Sequence, residues 1–330
     1  MKKTFGIASA FILAAGLTAG CSSNGASSEQ KENKDTLDIY TTIYPLEDFT
    51  KKIGGEYVNV KSVYPPNVEA HTYEPSSKTM AEISDSDAFI YSGVGVEGFA
   101  DKAVNTLKNS DVKIVKAGEG IDLLSREEEG EHDEHAHEEE HEHGEAEGHD
   151  HHDHGDHDPH VWLDPVLSAK MAENIKDELV KLEPEHEKTF TKNYESLKKD
   201  LEQLDKDFKQ TVDKADKKEI LVSHAAYGYW EKRYGIKQIS VLGLSPTEEP
   251  SQKQLENIVK TAKEHNIKYI IFESNVSSKI SEIIKKEIGA ESLTMKNLES
   301  VTKEDIESSK DYTAIMKENL DVSKKALSSK

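Results

Sequence analysis

Residues 184–214 read PEHEKTFTKNYESLKKDLEQLDKDFKQTVDK, a helical pattern of unusual length. Apolar residues recur in it at steps of three and four, which marks one face of a single helix. They are Phe190, Tyr194, Leu197, Leu201, Leu204, Phe208 and Val212. A helix of roughly 30 residues spans about 45 Å, which is longer than one lobe of this size needs. We interpret it as a rigid spine that joins two lobes. A dimerisation coiled coil is the alternative, because the pattern lasts about three heptads.

Short apolar segments alternate with helical patterns on both sides of this spine. The predicted strands are 37–43, 58–64, 88–91 and 112–115 before it, and 220–222, 236–241, 269–272 and 292–295 after it. Strands that alternate with helices favour parallel sheets covered on both faces. The predicted fold class is therefore α/β, with two similar lobes that each contain a mostly parallel four-stranded sheet.

Residues 127–157 are dominated by histidine and carboxylate side chains, and no Lys or Arg occurs between Glu127 and Asp164. Imidazole and carboxylate bind divalent transition metals, and imidazole favours zinc, copper and nickel over calcium or magnesium. We predict a disordered insert with several weak, exchanging metal sites; a solvated acidic spacer is the alternative. Its histidines are His132, His135, His137, His141, His143, His149, His151, His152, His154 and His157.

The formal net charge of -22 is concentrated in the same region, because residues 127–158 hold 16 of the 64 acidic residues. An acidic balance of this kind disfavours nucleic acid as a partner and favours cations. At 330 residues the chain is long enough for two domains.

The N-terminus has the features of an export signal. Two lysines precede a short apolar stretch at 5–15, and residues 17–21 (LTAGC) match a lipobox. The apolar stretch is shorter than the about 20 residues that a membrane-spanning helix needs. Cys21 is the only cysteine, which excludes an internal disulfide and a thiolate metal site. The similarity to bacterial lipoproteins implies cleavage before Cys21 and acylation of its thiol, with the protein anchored to the outer face of the cell membrane.

Three of the five histidines outside the tract are positioned to share a site. His71 lies in the loop after the second strand, His160 lies among Pro, Val and Trp residues, and His224 directly follows an apolar strand. Glu273 follows the strand YIIF in the same kind of position. Open α/β sheets bind ligands outside the carboxyl ends of their strands. Three imidazoles and one carboxylate would form the tetrahedral site that zinc prefers. Taken singly, each histidine could instead be a hydrogen-bonded core or loop residue. The other two lie in charged helical segments and are interpreted as surface residues: His186 and His265.

Several motifs occur in a fixed order after the lipobox. They are NVEAHTYEPS (67–76), the histidine-rich insert, DPHVWLDP (158–165), LVSHAAYGY (221–229) and FESNVSSK (272–279). This combination resembles the zinc-specific solute-binding lipoproteins of bacterial ABC importers, a metal-binding family that also includes manganese carriers. The resemblance covers essentially the whole mature chain. It implies two Rossmann-like lobes joined by one long helix, with the metal in the cleft between them.

By motif, the resemblance implies that His71, His160 and His224 are the nitrogen ligands and that Glu273 is the carboxylate ligand. In zinc members of the family, water or a residue from another loop can also fill the fourth position. Manganese carriers typically have a second carboxylate, so three histidines favour zinc. Three further residues are candidates to shape the pocket or orient the imidazoles: Trp162, Tyr227 and Asp164.

The predicted organisation is a signal peptide at 1–20, a flexible tether at 21–35 after acylated Cys21, an N-terminal lobe at 36–183 with the insert at 127–157, a linking helix at 184–214 and a C-terminal lobe at 215–330.

The resemblance implies an extracytoplasmic protein that captures Zn(II) and delivers it to an ABC permease and its ATPase. We expect a monomer that is not an enzyme and does not bind nucleic acid. The sequence has no GxxxxGK[ST] motif, so the chain is not the ATPase itself. The alternatives are a surface zinc-sequestering or adhesin-like lipoprotein, a manganese carrier and a secreted zinc hydrolase. The last is disfavoured because the HExxH pattern at 137–141 (HEEEH) lies inside the histidine-rich insert and not on a predicted amphipathic helix.

Overall fold

The computed structural model describes residues 36–125, 157–276 and 278–328. The N-terminal lobe contains strands β1 (Leu37–Thr41), β2 (Val58–Ser62), β3 (Ala88–Tyr91) and β4 (Lys113–Lys116). They form one parallel sheet in the order β2-β1-β3-β4, with Ile39 opposite both Val60 and Ala88. Three helices alternate with these strands: α1 (Tyr44–Gly54), α2 (Ser77–Ser84) and α3 (Ala100–Leu107).

Two helices connect this sheet to the second half of the chain, α4 (Pro165–Leu182) and α5 (Glu187–Asp213). Asp164 begins α4, because its carboxylate accepts hydrogen bonds from the backbone N–H groups of Val166 and Leu167. α5 has 27 residues, and its buried residues are the seven whose spacing predicts the helix. Their side chains form one apolar stripe along the helix.

The C-terminal lobe repeats the arrangement of the first. Its strands are β5 (Glu219–Val222), β6 (Lys237–Ser240), β7 (Tyr269–Glu273) and β8 (Glu291–Met295), all parallel in the order β6-β5-β7-β8. Its helices are α6 (Gly228–Tyr234), α7 (Gln252–Glu264), α8 (Lys279–Ile288), α9 (Lys303–Glu307) and α10 (Tyr312–Leu327).

The hydrophobic core continues across both lobes. α5 packs against α1 and α4, which precede it in the sequence, and against α10, which follows it. The main cluster of buried residues therefore includes Phe49 from α1, Leu201 from α5 and Tyr312 from α10. A smaller cluster under α7 and α8 surrounds Leu221 and Ile270. The long helix thus shares its buried face between helices of the two lobes.

The predicted α/β class with two four-stranded sheets and a long connecting helix is confirmed. The domain boundaries stay predictions. Within the described residues, no helix combines the length and apolar character needed to span a membrane. The predicted signal peptide, Cys21, the predicted tether and nine of the ten tract histidines lie outside the described residues; His157 lies within them.

Candidate metal site

His71, His160 and His224 come together from three separate segments of the chain. His71 lies between β2 and α2, His160 just before α4, and His224 just after β5. The ring centroids are 4.9 Å apart for His160 and His224, 5.5 Å for His71 and His160, and 5.8 Å for His71 and His224. Each ring offers a nitrogen, and the three nitrogens lie within 4.8 Å of one another. One ion can therefore bind all three.

The buried ring of His160 is oriented by Asp158. One carboxylate oxygen, Oδ1 of Asp158, accepts hydrogen bonds from the backbone N–H of His160 (2.8 Å) and from its Nδ1 (2.7 Å). This leaves Nε2 as the nitrogen that can bind a metal. Burial lowers the pKa of His160 well below its usual value, and the neighbouring histidines His224 and His71 lower it further. His160 is therefore held in the neutral form that metals bind.

His224 is held by two acceptors. Its Nδ1 donates to Oε2 of Glu273 (2.9 Å), and its Nε2 donates to the carbonyl oxygen of Leu244 (2.8 Å). Because both partners only accept, His224 carries a proton on each nitrogen in this arrangement. Burial opposes this charge, but the charge and hydrogen bond of Glu273 outweigh it and raise the pKa of His224 to about 9.

A fourth side chain, Glu299, faces the histidines. Its Oε1 lies 3.4 Å from Nε2 of His71 and 3.9 Å from Nε2 of His160. Among the described residues, none of these three buried atoms has a hydrogen-bond partner. Burial alone would raise the pKa of Glu299, but His71, His224 and His160 outweigh it and lower the pKa to about 2. A buried carboxylate beside unpaired imidazole nitrogens is the donor set of a transition-metal site.

The other oxygen of Glu299 holds the loop that carries His71. Oε2 accepts hydrogen bonds from the backbone N–H of Ala70 and from Nδ2 of Asn275, both at 3.3 Å. Glu299 therefore directs one oxygen to the histidines and the other to their surroundings. Glu299 was not predicted from the sequence, although it follows β8 as His224 follows β5.

Glu273, predicted from the sequence as the carboxylate ligand, lies behind His224. Its Oε2 accepts from His224 and from Nδ2 of Asn297 (3.1 Å), and its Oε1 accepts from the hydroxyl of Tyr227 (3.3 Å). Both oxygens are thus used in hydrogen bonds, and the one at Oε2 orients His224. Of the two carboxylates, Glu299 is the one whose free oxygen faces His71 and His160.

The three residues predicted to surround the site have different environments. Tyr227 contacts Glu273 through its hydroxyl. Trp162 lies with its ring centroid 5.3 Å from that of His160, and its Nε1 donates to the carbonyl of Asn297 (2.7 Å). Asp164 instead begins α4 and forms an ion pair with Arg233.

A cavity of about 260 Å³ opens beside His71. Its wall includes His157, the described histidine of the tract, together with Thr247 and Glu248 from the segment after β6. His157 is exposed and pairs with Ser125 as an isolated bridge. The last residue of the histidine-rich tract therefore lies on the wall of the cavity that also includes His71.

The two histidines interpreted as surface residues lie away from the three-histidine group. His186 stacks on Tyr57, with ring centroids 3.7 Å apart, and is within 3.7 Å of the carboxylate of Glu185. His265 donates through Nδ1 to Glu219 (2.8 Å).

Several known proteins similar to this chain are described as zinc-uptake or zinc-binding proteins. A family model described as "Zinc-uptake complex component A periplasmic" matches residues 39–326. The high-affinity zinc uptake system protein ZnuA of Bacillus subtilis is 40% identical over 323 residues, which cover 98% of this chain and 96% of ZnuA. The zinc-binding lipoprotein AdcA of Streptococcus pneumoniae is 38% identical over 299 residues, which cover 89% of this chain and 56% of AdcA. The crystal structure of the Zn(II)-bound ZnuA-like domain of that species' AdcA matches with a TM-score of 0.71 and 33% identity, covering 89% of this chain and 100% of that domain.

Proposed function

The chain belongs to the family of periplasmic A components of zinc-uptake complexes, and we propose that it captures Zn²⁺ outside the cytoplasmic membrane for import. Proteins of this family are solute-binding components of transport systems. The observation that supports the proposal best is the buried group of His71, His160 and His224 with the unpaired Oε1 of Glu299.

The chemistry of these four side chains suits zinc. Three imidazole nitrogens and one carboxylate oxygen match its tetrahedral preference and its affinity for nitrogen ligands. We assign the ligands as His71, His160, His224 and Glu299, with Glu273 as the group that orients His224. This assignment differs from the sequence-based expectation that Glu273 binds the metal. Manganese transport is not favoured, because manganese prefers a site richer in oxygen ligands.

The ion would be passed to an ABC permease driven by an ATPase, since a solute-binding component needs such partners to move its cargo. We propose that acylated Cys21 anchors the mature chain as a monomer to the outer face of the membrane. The lipobox at residues 17–21 supports this anchor. The adhesin-like alternative is not favoured, because the relatives named above carry zinc-uptake and zinc-binding descriptions.

Capture without chemistry fits four protein ligands, because a catalytic zinc keeps one position open for water. A zinc hydrolase would instead release product from ester or peptide substrates when loaded with zinc. Absence of turnover by the zinc-loaded protein is the expected result.

The decisive experiment is a zinc titration against a tight competing chelator. The mature chain from which 127–156 has been removed retains His157 and its bridge to Ser125. We expect this protein to bind one zinc tightly, and we expect His160→Ala in the same background to weaken that binding severely. If the tract-deleted protein stays folded but binds no zinc tightly, the tract and not the cleft holds the metal. The protein would then be a surface zinc-sequestering lipoprotein.

A further inference from the structure

Glu97 is a buried carboxylate in the loop between β3 and α3, only 5% exposed. Its Oε1 accepts hydrogen bonds from the hydroxyl of Thr42 (2.7 Å) and the backbone N–H of Ser92 (2.6 Å). Its Oε2 accepts from the hydroxyl of Ser92 (2.6 Å). Thr42 and Ser92 directly follow the adjacent strands β1 and β3. Glu97 therefore ties its own loop to the carboxyl edge of the N-terminal sheet.

This attachment fixes the path of residues 93–98. Gly93 and Gly95 adopt positive φ angles of 70° and 100°, which turn the backbone tightly between Ser92 and Glu97. Gly98 then lies against the backbone of His71: a Cβ at position 98 would be 2.5 Å from the carbonyl oxygen of His71. The loop thus forms a close support beneath a residue of the zinc site.

Aromatic packing extends the same support. Phe99 lies edge-on to Tyr64 and Tyr73, at centroid distances of 6.1 and 6.5 Å, and those two tyrosines are 5.2 Å apart. Tyr64 and Tyr73 flank the segment that contains His71, and the hydroxyl of Tyr64 donates to the carbonyl of Ala70 (3.3 Å). The segment that carries His71 therefore rests on residues 98–99, directly after Glu97.

We propose that Glu97 is a positioning residue for the zinc site, which holds Gly98 and Phe99 in place so that His71 keeps its ligand geometry. This inference rests on the proposed function, because it concerns the same metal site. Glu97 does not touch the ion; it acts through the backbone of His71. The buried carboxylate is useful here because it accepts three hydrogen bonds at once, which an apolar side chain cannot do.

Three variants of the mature chain test the proposal. Glu97→Ala removes all three hydrogen bonds and should raise the zinc dissociation rate about 10- to 100-fold, the usual effect of losing a residue behind a metal ligand. Glu97→Gln keeps the shape and most of the bonds and should restore a rate near that of the wild type. Gly98→Ala leaves Glu97 intact but places a methyl group against the His71 carbonyl, so it should also speed dissociation. Rates are measured by transfer of zinc to excess chelator.

Control measurements separate positioning from general destabilisation. Asn193→Ala removes a hydrogen bond between α5 and the carbonyl of Ile53 (2.9 Å), so it should lower stability without changing zinc release. The visible absorption bands of the Co(II)-loaded protein report ligand geometry, and they should change in Glu97→Ala but not in Asn193→Ala. Unchanged zinc release and an unchanged Co(II) spectrum in Glu97→Ala would overturn the proposal. Failure of the wild type to bind zinc in this assay would instead reject the proposed function.

Discussion

At the scale of single residues, Glu273 and Glu299 show how two buried carboxylates near the same histidines take different roles. Both oxygens of Glu273 accept hydrogen bonds, and one of them fixes Nδ1 of His224. Oε1 of Glu299 has no hydrogen-bond partner among the described residues and lies closest to His71. Glu299 therefore has an oxygen that is free to bind a cation, whereas Glu273 does not.

This difference predicts the effect of neutralising each carboxylate. Glu299→Gln should lower zinc affinity by at least about 100-fold, because it removes a charged ligand. Glu273→Gln should cost about 10-fold, as expected for a residue that orients a ligand. Competition titration of both variants measures the two losses of zinc affinity relative to the wild type. A larger loss of zinc affinity in Glu273→Gln than in Glu299→Gln would indicate that Glu273 is the carboxylate ligand.

The protonation of His224 predicts how zinc affinity depends on pH. Zinc binds neutral imidazole, so binding must displace a proton wherever His224 is charged. Its raised pKa of about 9 means that this holds at neutral pH. Zinc affinity should therefore rise with pH up to about 9, by about tenfold per pH unit for each proton released. As the pH is lowered below about 6, where ordinary histidines become protonated, zinc affinity should fall further.

Calorimetry in two buffers of different ionisation enthalpy counts the protons released on binding. Between pH 7 and 8 we expect close to one proton per zinc. Binding that releases no proton in this range, with a flat affinity from pH 6 to 8, would contradict a charged His224 in the metal-free protein.

The proximity of the three histidines could be predicted from the sequence because each belongs to a motif or follows a strand. Glu299 could not be singled out, because KNLES after β8 has the composition of an ordinary charged loop. Its role depends on the fold, which brings this loop against Ala70 from the other lobe. Local sequence cannot report such a contact between distant segments.

At the scale of helices and strands, the long helix α5 was predicted well, whereas the two shortest α-helices, α6 and α9, were not predicted. The apolar positions of α5 are buried as its spacing predicts. Helices α6 and α9 were missed because a helix of seven or five residues is too short to show a period, and tertiary packing rather than propensity stabilises it. Whether a short segment forms a helix depends on packing against residues that are distant in the sequence.

The buried stripe of α5 predicts a large loss of stability when it is truncated. Leu201 is fully buried between the packed helices, so Leu201→Ala should lower the free energy of unfolding by about 2–5 kcal/mol. Lys199 is exposed on the same helix, and Lys199→Ala should change the free energy of unfolding by less than about 0.5 kcal/mol. Denaturant unfolding of the metal-free protein measures both. Equal small effects would show that α5 does not carry the shared core.

At the scale of the whole molecule, the proposed ligands join the two lobes. His71 and His160 belong to segments before α5, whereas His224 and Glu299 belong to segments after it. Hydrogen bonds already link the sides, because Ser300 donates through its hydroxyl to the carbonyl of Val68 (2.8 Å). A bound ion would add a direct connection between the same segments. Zinc should therefore stabilise the molecule as a unit.

This coupling predicts a zinc-dependent shift of the thermal unfolding midpoint. A ligand at 100 times its dissociation constant stabilises the native state by about 2.7 kcal/mol, which corresponds to roughly 4–5 °C for a chain of this size. Scanning calorimetry should show this rise in the mature chain and also after removal of 127–156. His160→Ala should abolish it, since Nε2 of His160 faces the other ligands in a fully buried position. Weak sites in the tract would not give such a shift, because they would bind unfolded and folded chains alike. A shift that is retained in His160→Ala but lost when 127–156 is removed would show that the stabilising zinc binds in the tract. The zinc would then not connect the two lobes.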